Sequence, residues 1–561
     1  MGDPDTQPAT HGTAFVTDSP DQPAVRRLVL VGGGPSSLSV ALRLAELVRL
    51  HRKDGAGPDR FEVVLVDRAG ETGGGAPHAA TVSAALLLND SITETDSSGI
   101  GLVPWLTANR SRWQGMLVDS GDRRAARWLE RHRADIDRDE LGGLFLPRLV
   151  FGQFLRDRWT DAVKSLDSSG ISVSVLAAEV VDVVPAGPDR WRVQLAGRDP
   201  LDADAVLLAV GNVTAPAPEA VTHHPGYLSF EVARELAAAE PRLAARLATL
   251  PTGSRRIVVL GSSAAAIEFL YAAEGGAELD GLVDELIVLS SSGRIADGLC
   301  SAHVTPHALR RLPALLAAVE GEGQTPVPAP TSAALVEAVV ADAAEAESLG
   351  YTIVDLLPAA RATPPPTSAN VSHWFRRLFA LLSPEEKRAF VNAEYKAYRE
   401  TIRHTSTDYA EAVARLRERE LLTVLAGRVR ELRPAPDGGL TVRYETAGRM
   451  RTLAAGIVVD CRGFAGVAEG ANPAVRRLMR SGTVRANATG RGLAVDHDFA
   501  AAPGLFVLGP LLAGTAQGAD YIWFLENVPV IHRLAERVAR AALQRLDAPS
   551  GASPVPRQEL N

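Results

Sequence analysis

The segment Gly32-Gly33-Gly34-Pro35-Ser36-Ser37 has the residue types of a turn that brings a backbone close to phosphate. Gly32 permits a tight turn, and Gly34 puts no side chain between the chain and a pyrophosphate. A helix opening at Pro35 and Ser36 would aim unpaired N–H groups and positive potential at the same place. Ser37 stands where a third glycine is usual, so helix and strand are expected to pack less closely. Asp67 ends the next apolar run, where a carboxylate can accept hydrogen bonds from ribose hydroxyls. A second turn, Gly261-Ser262-Ser263-Ala264-Ala265-Ala266, has a looser pattern. The run after it ends in Ser290, and Arg294 follows. With no carboxylate to repel an adenosine 2′-phosphate, and with Arg294 to pair with it, this pattern favours NADPH over NADH.

The surrounding residues supply the elements these turns need. Arg27 to Val31 is a short buried strand, and Leu38, Ala41, Leu42 and Ala45 recur at helical spacing behind the first turn. Phe61 to Asp67 is the next strand, with the polar stretch His51 to Arg60 as the loop before it. Ile257 to Leu260, a helix from Ile267 to Ala273, and Leu286 to Leu289 repeat the pattern. The expected class is therefore α/β, with two Rossmann-like dinucleotide-binding domains. Helical stretches are expected over 333–349 and from about Pro384 to Glu420. A final amphipathic helix opens near Pro529. Residues 1–24 read as a disordered tail.

Composition excludes several alternatives. The chain has 561 residues, too many for one core. Its net charge of -8 argues against a basic nucleic-acid-binding surface. No apolar run is long enough for a membrane span and no signal peptide opens the chain, so a cytoplasmic protein without membrane contact is expected. The two cysteines, Cys300 and Cys461, lie far apart, which excludes a CxxC redox pair and a cysteine-based zinc site. No metal site is expected. Cys461 reads as a buried packing residue.

Three further segments would line a flavin site if the chain is a two-dinucleotide flavoprotein: Gly73-Gly74-Gly75-Ala76-Pro77-His78 with Leu88-Asn89-Asp90 behind it, Leu207 to Asn212 with Gly211 at the strand end, and Gly504 to Pro510, Gly509 and Pro510 included, followed by the helix from Pro529. With Val31 to Ser36, Leu88-Asn89, Pro147-Arg148-Leu149-Val150-Phe151-Gly152-Gln153-Phe154-Leu155 and Tyr398 to His404, the chain resembles two-dinucleotide flavoproteins. Among these it resembles the class B monooxygenases that hydroxylate amino groups. The resemblance covers roughly residues 27–540. It departs at Ser37 and at Ala209-Val210-Gly211, where relatives often have Ala-Thr-Gly. It implies FAD at the first and last segments, Arg148 in a flavin-domain helix, and NADPH at Gly261 to Ala266. The implied domains are 25–215 and 421–545 for FAD, 250–320 for NADP, and a helical substrate region at 333–420.

The chemistry so implied is oxygen activation. NADPH reduces the flavin, the reduced flavin forms a C4a-hydroperoxide with O₂, and a neutral amine takes one oxygen. The cofactor carries this reaction, so no strong catalytic acid or base is required, and none is assigned. Arg376, Tyr398, Arg403 and His404 lie in a cationic, aromatic stretch suited to a carboxylate. The plain alternative is a solvated helix face. By resemblance the substrate is a small amine or amino acid, with aspartate ahead of ornithine or lysine and a nitroso or nitro product as a further stage, in bacterial natural-product biosynthesis. Two other classes remain open: a flavin oxidoreductase or C-hydroxylase acting on carbon, and a non-catalytic nucleotide-binding protein. Oligomeric state is not readable, although relatives of this kind are often homo-oligomers.

Overall fold

The computed structural model describes residues 25–53, 61–187, 190–212, 215–229, 236–276, 279–298, 309–320, 330–348, 371–470, 472–517, 520–522 and 527–547. The expected tail at 1–24 and Cys300 lie outside them.

The first sheet runs in the order Ala500–Ala502, Leu505–Val507, Ala205–Leu208, Arg26–Val31, Phe61–Asp67, Ser172–Ala177. All neighbours are parallel except the first pair. Leu28 to Val31 and Val63 to Val66 are buried, as expected for strands covered on both faces. One covering layer is the helix Pro35–Lys53, packed between Arg148–Ser168 and Val528–Asp547. Leu38, Ala41 and Leu44 of the first helix and Ile531, Leu534 and Val538 of the last are buried. Each leucine, isoleucine or valine among them contributes about 1.5–3 kcal/mol by leaving water. The last helix thus opens one residue before the expected Pro529.

The second sheet repeats the plan in the order Leu422–Ala426, Glu285–Ser290, Arg256–Leu260, Ile457–Asp460, Tyr227–Leu228, all parallel. Each unit also carries an antiparallel meander before its return strand. The first meander is Val180–Pro185, Trp191–Leu195 and Arg198–Ala203. The second is Arg428–Pro434, Leu440–Thr446 and Arg449–Ala455. The internal repeat therefore extends through both units, well past the two strand–turn–helix starts visible in the sequence.

This topology corrects the expected boundaries. Residues 422–460 were expected in the FAD domain, but backbone pairing places them in the second unit. Leu286 is in register with Leu422, and Ile257 with Ile457. The chain rejoins the first sheet only at Ala500–Ala502. The helical region also divides. Arg311–Glu320, Ser332–Ser348, Val371–Leu381 and Tyr395–Ile402 share a separate core around Phe375, Phe379, Phe390 and Tyr398. Thr407–Glu418 packs instead on Ala264–Gly275 of the second unit. The expected helical region over 384–420 contains a π-helical turn at Phe390–Glu394 and is interrupted by the short strand His404–Thr405, which pairs with Asp297–Gly298.

Candidate functional site: two dinucleotide turns

The first turn is built by close approach of backbones. Gly32 has φ +105°, and a Cβ there would meet the Ala209 carbonyl oxygen. Its amide donates to the Val66 carbonyl at 2.8 Å. Asp67 holds the turn from below. Its Oδ2 accepts the Gly33 amide at 2.9 Å, and its Oδ1 accepts those of Ala69 at 2.9 Å and Glu71 at 3.1 Å. A carboxylate oxygen accepts about two hydrogen bonds, so Oδ2 keeps one acceptor position suited to a hydroxyl. The departure at Ser37 has a structural use: its buried Oγ donates to the Gly32 carbonyl at 2.6 Å and closes the turn.

Small residues converge on this turn. Gly34 faces Gly75, with a Cβ on Gly34 falling 3.8 Å from the Gly75 Cα. A Cβ on Gly509 would lie 2.6 Å from Ser36 Oγ, so Gly509 and Pro510 meet the helix start. Gly211 follows the neighbouring strand Ala205–Leu208. The Gly73 to His78 loop rests on helix Arg148–Ser168. There His78 meets Phe151 edge-on at 5.0 Å, and Arg156 donates to the His78 carbonyl at 3.1 Å. This contact accounts for Gly152 in the Pro147 to Leu155 segment, because a Cβ there would strike the same carbonyl.

Arg148 opens the helix Arg148–Ser168 of the first unit. It is buried, donates to the Leu87 carbonyl at 2.9 Å, and forms an ion pair with buried Glu268 on the second unit's helix. Tyr409 completes this junction: its hydroxyl accepts the Leu87 amide at 2.7 Å. Burial, then nearby Glu268, pushes the Tyr409 phenol well above its ordinary range. Tyr409→Phe leaves that buried amide without its acceptor and is expected to cost about 1–3 kcal/mol, read as a lower midpoint in urea with an unchanged slope. An unchanged midpoint would show that the bond carries no stability.

Asn89 is exposed, but Asp90 beside it is engaged. Asp90 accepts from Asn527, which also caps the final helix through the Val530 amide at 3.2 Å. Burial, and then Glu94, pushes the Asp90 carboxyl up to about 6, with His404 acting in the opposite direction. Asp90, Glu94 and His404 bring ligand-type atoms within 4.8 Å of one another. Glu94 is already committed to the Ser91 amide and hydroxyl, each at 2.8 Å.

The second turn copies the first. The Gly261 amide donates to the Leu289 carbonyl at 2.8 Å, and a Cβ there would lie 2.5 Å from the Cys461 carbonyl oxygen. Ser263 Oγ donates to that same carbonyl at 3.1 Å, immediately before helix Ala264–Gly275. Cys461 is buried, and desolvation raises its thiol well above the usual range, as a packing cysteine requires. Arg294 is exposed on the loop after Glu285–Ser290, where Ser292 Oγ accepts its amide at 3.4 Å.

The four expected substrate residues go to different surroundings. Tyr398 is 2% exposed and stacks on Phe375 at 4.1 Å, so it is core of the helical module. Its apolar body was the better guide, since aromatics at helical spacing bury first. Arg376 is exposed on Val371–Leu381. His404 faces Asp90. Arg403 reaches the second turn, donating to Ser262 Oγ at 3.4 Å. The sequence reading missed Glu268 and Asn527. An N-cap asparagine three residues before Val530 was the available signal for Asn527. Nothing local marks Glu268, whose partner is distant in the chain.

The fold is thus two turn-bearing parallel units, each with its own meander. Residues 29–213 match a family model described as FAD-NAD(P)-binding. Uncharacterized proteins of Mycobacterium tuberculosis and Mycobacterium bovis are 26% identical over 534 residues, 92% of this chain and 95% of theirs. Among solved structures, the fold is shared with the FAD-bound cadaverine monooxygenase of the desferrioxamine pathway of Erwinia amylovora. That likeness has TM-score 0.54 and 13% identity over 96% of this chain and 97% of the other. It is also shared with L-lysine 6-monooxygenase of Pseudomonas syringae, at TM-score 0.52 and 16% identity over 92% and 99%. Among the described residues, no helix is long and apolar enough to cross a membrane.

Proposed function

We propose that this protein is an FAD- and NADPH-dependent monooxygenase that hydroxylates the amino group of a small amine or amino acid. The observation that carries the reading is the pairing of two complete dinucleotide turns across the Arg148–Glu268 junction, in a fold shared end to end with a cadaverine and a lysine monooxygenase.

The residues present fit FAD at the first turn. Gly34, Gly75 and Gly509 come together at the helix start with no side chain of their own, and Gly32 lets the turn lie close against the Ala209 carbonyl. The start of helix Pro35–Lys53 offers N–H groups to a pyrophosphate, and Asp67 Oδ2 retains acceptor capacity for a ribose hydroxyl. Bound FAD would supply the activation of O₂, one atom going to the amine and the other to water. The protein's part is to seat both nucleotides, orient the amine and exclude water. Gly261 to Ala264 would hold NADPH, and Arg294 would pair with its 2′-phosphate.

Aspartate is the first substrate to test. Tyr398 and Arg403 are engaged elsewhere, so the acidic-substrate reading rests on Arg376 and His404 and on resemblance. A hydroxylamine product, with nitroso or nitro stages beyond it, is expected when the yellow protein oxidises NADPH in the presence of L-aspartate. Lysine, ornithine and cadaverine serve as comparison amines. Stimulation by one of them with ¹⁸O from ¹⁸O₂ on nitrogen supports the reading, and label on carbon points to a C-hydroxylase. No stimulation across the panel removes it.

A further inference from the structure

We infer that Arg403 grips the pyrophosphate of the nicotinamide dinucleotide at the second turn, tying the helical module to nucleotide binding. This deepens the proposed function and rests on its reading that Gly261 to Ala266 holds such a nucleotide.

The argument begins with where the chain puts the guanidinium. Helix Tyr395–Ile402 ends at Arg403, whose φ of -73° and ψ of 127° are extended. The next two residues are held in parallel register, His404 with Asp297 and Thr405 with Gly298. Arg403 is thus fixed from both sides, by the helical module behind it and by the loop after Glu285–Ser290 ahead of it. Its guanidinium reaches Ser262 Oγ at 3.4 Å, inside the Gly261 to Ala266 turn. Ser262 is itself buried, and the helix that begins at Ala264 turns its N-terminus to this place.

The surroundings of Arg403 differ from those of the two arginines that are fully buried among the described residues. Arg124 has Asp122 and Glu240, and Arg148 has Glu268. Among the described residues, Arg403 has a hydroxyl partner and no carboxylate within ion-pair distance. Burial, and then the Arg399 charge beside it, pulls its guanidinium down to about 10, with Glu400 and Tyr395 only partly opposing. Taking a cation out of water without a counter-charge is costly. A diphosphate anion offsets that cost, and the planar fork of donors matches phosphate oxygens in pairs. The alternative role for Arg403, holding a substrate carboxylate, would require it to face away from the turn it contacts.

The division of labour with Arg294 is specific. Arg294 stands beyond the second strand, where a 2′-phosphate would lie. Arg403 stands at the turn, where the pyrophosphate common to NADP⁺ and NAD⁺ would lie. The experiment is calorimetric titration of the full-length, FAD-loaded protein with NADP⁺ and with NAD⁺, in wild type, Arg403→Leu, Arg403→Lys and Arg294→Ala. Arg403→Leu is expected to weaken both dinucleotides by the same factor, about 10- to 100-fold. Arg403→Lys is expected to recover part of this, and Arg294→Ala to weaken NADP⁺ alone. Unchanged dinucleotide affinity in Arg403→Leu at full FAD content overturns the assignment, as does a loss confined to NADP⁺ or a defect seen only in the KM of the amine. If Arg403→Leu does not hold FAD, Arg403→Lys decides: equal weakening of both dinucleotides supports the assignment, and no weakening overturns it. Wild-type protein that binds neither dinucleotide removes the parent reading along with this one.

Discussion

Glu268→Ala is expected to destabilise the protein by about 3–5 kcal/mol, among the largest effects of any single substitution outside the turns. Both partners of the Arg148–Glu268 pair are buried, at 6% and 5% exposure, so removing the acid takes from a buried guanidinium the carboxylate it pairs with. The loss should fall on the contact between the units, because Arg148 belongs to the first and Glu268 to the second. Arg148 would keep its bond to the Leu87 carbonyl, which is too weak a partner to neutralise a full charge. The double variant Arg148→Met/Glu268→Leu separates charge from packing. It fills the same space without ions and is expected to recover most of the lost stability, since well-packed apolar replacements of buried pairs are often neutral or better. Urea unfolding of Glu268→Ala, of the single variants Arg148→Met and Glu268→Leu, and of the double variant measures this. If Glu268→Ala costs less than about 1 kcal/mol, or if the double variant is no better than the singles, the pair does not hold the units together.

Gly32→Val is expected to abolish flavin binding. Two penalties coincide at this position. The backbone at φ +105° is one that a β-branched residue rarely adopts, at a cost of about 1–3 kcal/mol. The added atoms would also drive into the Ala209 carbonyl oxygen, which sits in backbone and cannot swing away. Either the turn opens or the neighbouring strand moves, and both displace the amides that would face a pyrophosphate. Purified Gly32→Val should therefore be colourless, with a lowered thermal midpoint that added FAD does not restore. Gly99→Ala is the control: its φ is +71° but nothing lies within 4 Å of its Cβ position, so it incurs backbone strain alone and should stay yellow. A Gly32→Val protein with wild-type flavin absorbance would refute the placement of the cradle.

The two variants probe features that the sequence revealed to different degrees. The turns were legible because their chemistry is local. A glycine-rich turn between an apolar strand and a helix is contained in a few consecutive residues, and Gly32, Gly34, Asp67 and Gly261 follow from it. Even Ser37, which breaks the pattern, could be located, although only the structure showed its hydroxyl closing the turn. The role of Arg148 was not legible. A buried arginine looks the same in sequence whether it faces a cofactor or a glutamate on a helix of the other unit. Tyr398 and Arg403, near neighbours in one helical stretch, were read as a single grip. A helix end separated them, sending one into an aromatic core and the other to a nucleotide turn.

The sequence by itself determined the class: an α/β chain with two strand–turn–helix units, no CxxC motif and a helical insertion. These are properties of short segments, where residue type and spacing act through the local backbone. The tertiary structure decided ownership and partnership. Strand register assigned Leu422–Ala426 and Ile457–Asp460 to the second sheet, because those strands pair by backbone hydrogen bonds that carry no residue code. Contacts between residues distant in the chain decided that Arg148 meets Glu268, Asn527 meets Asp90 and Arg403 meets Ser262. Side-chain charge is visible in the chain, but the position of its counter-charge exists only once the units have docked.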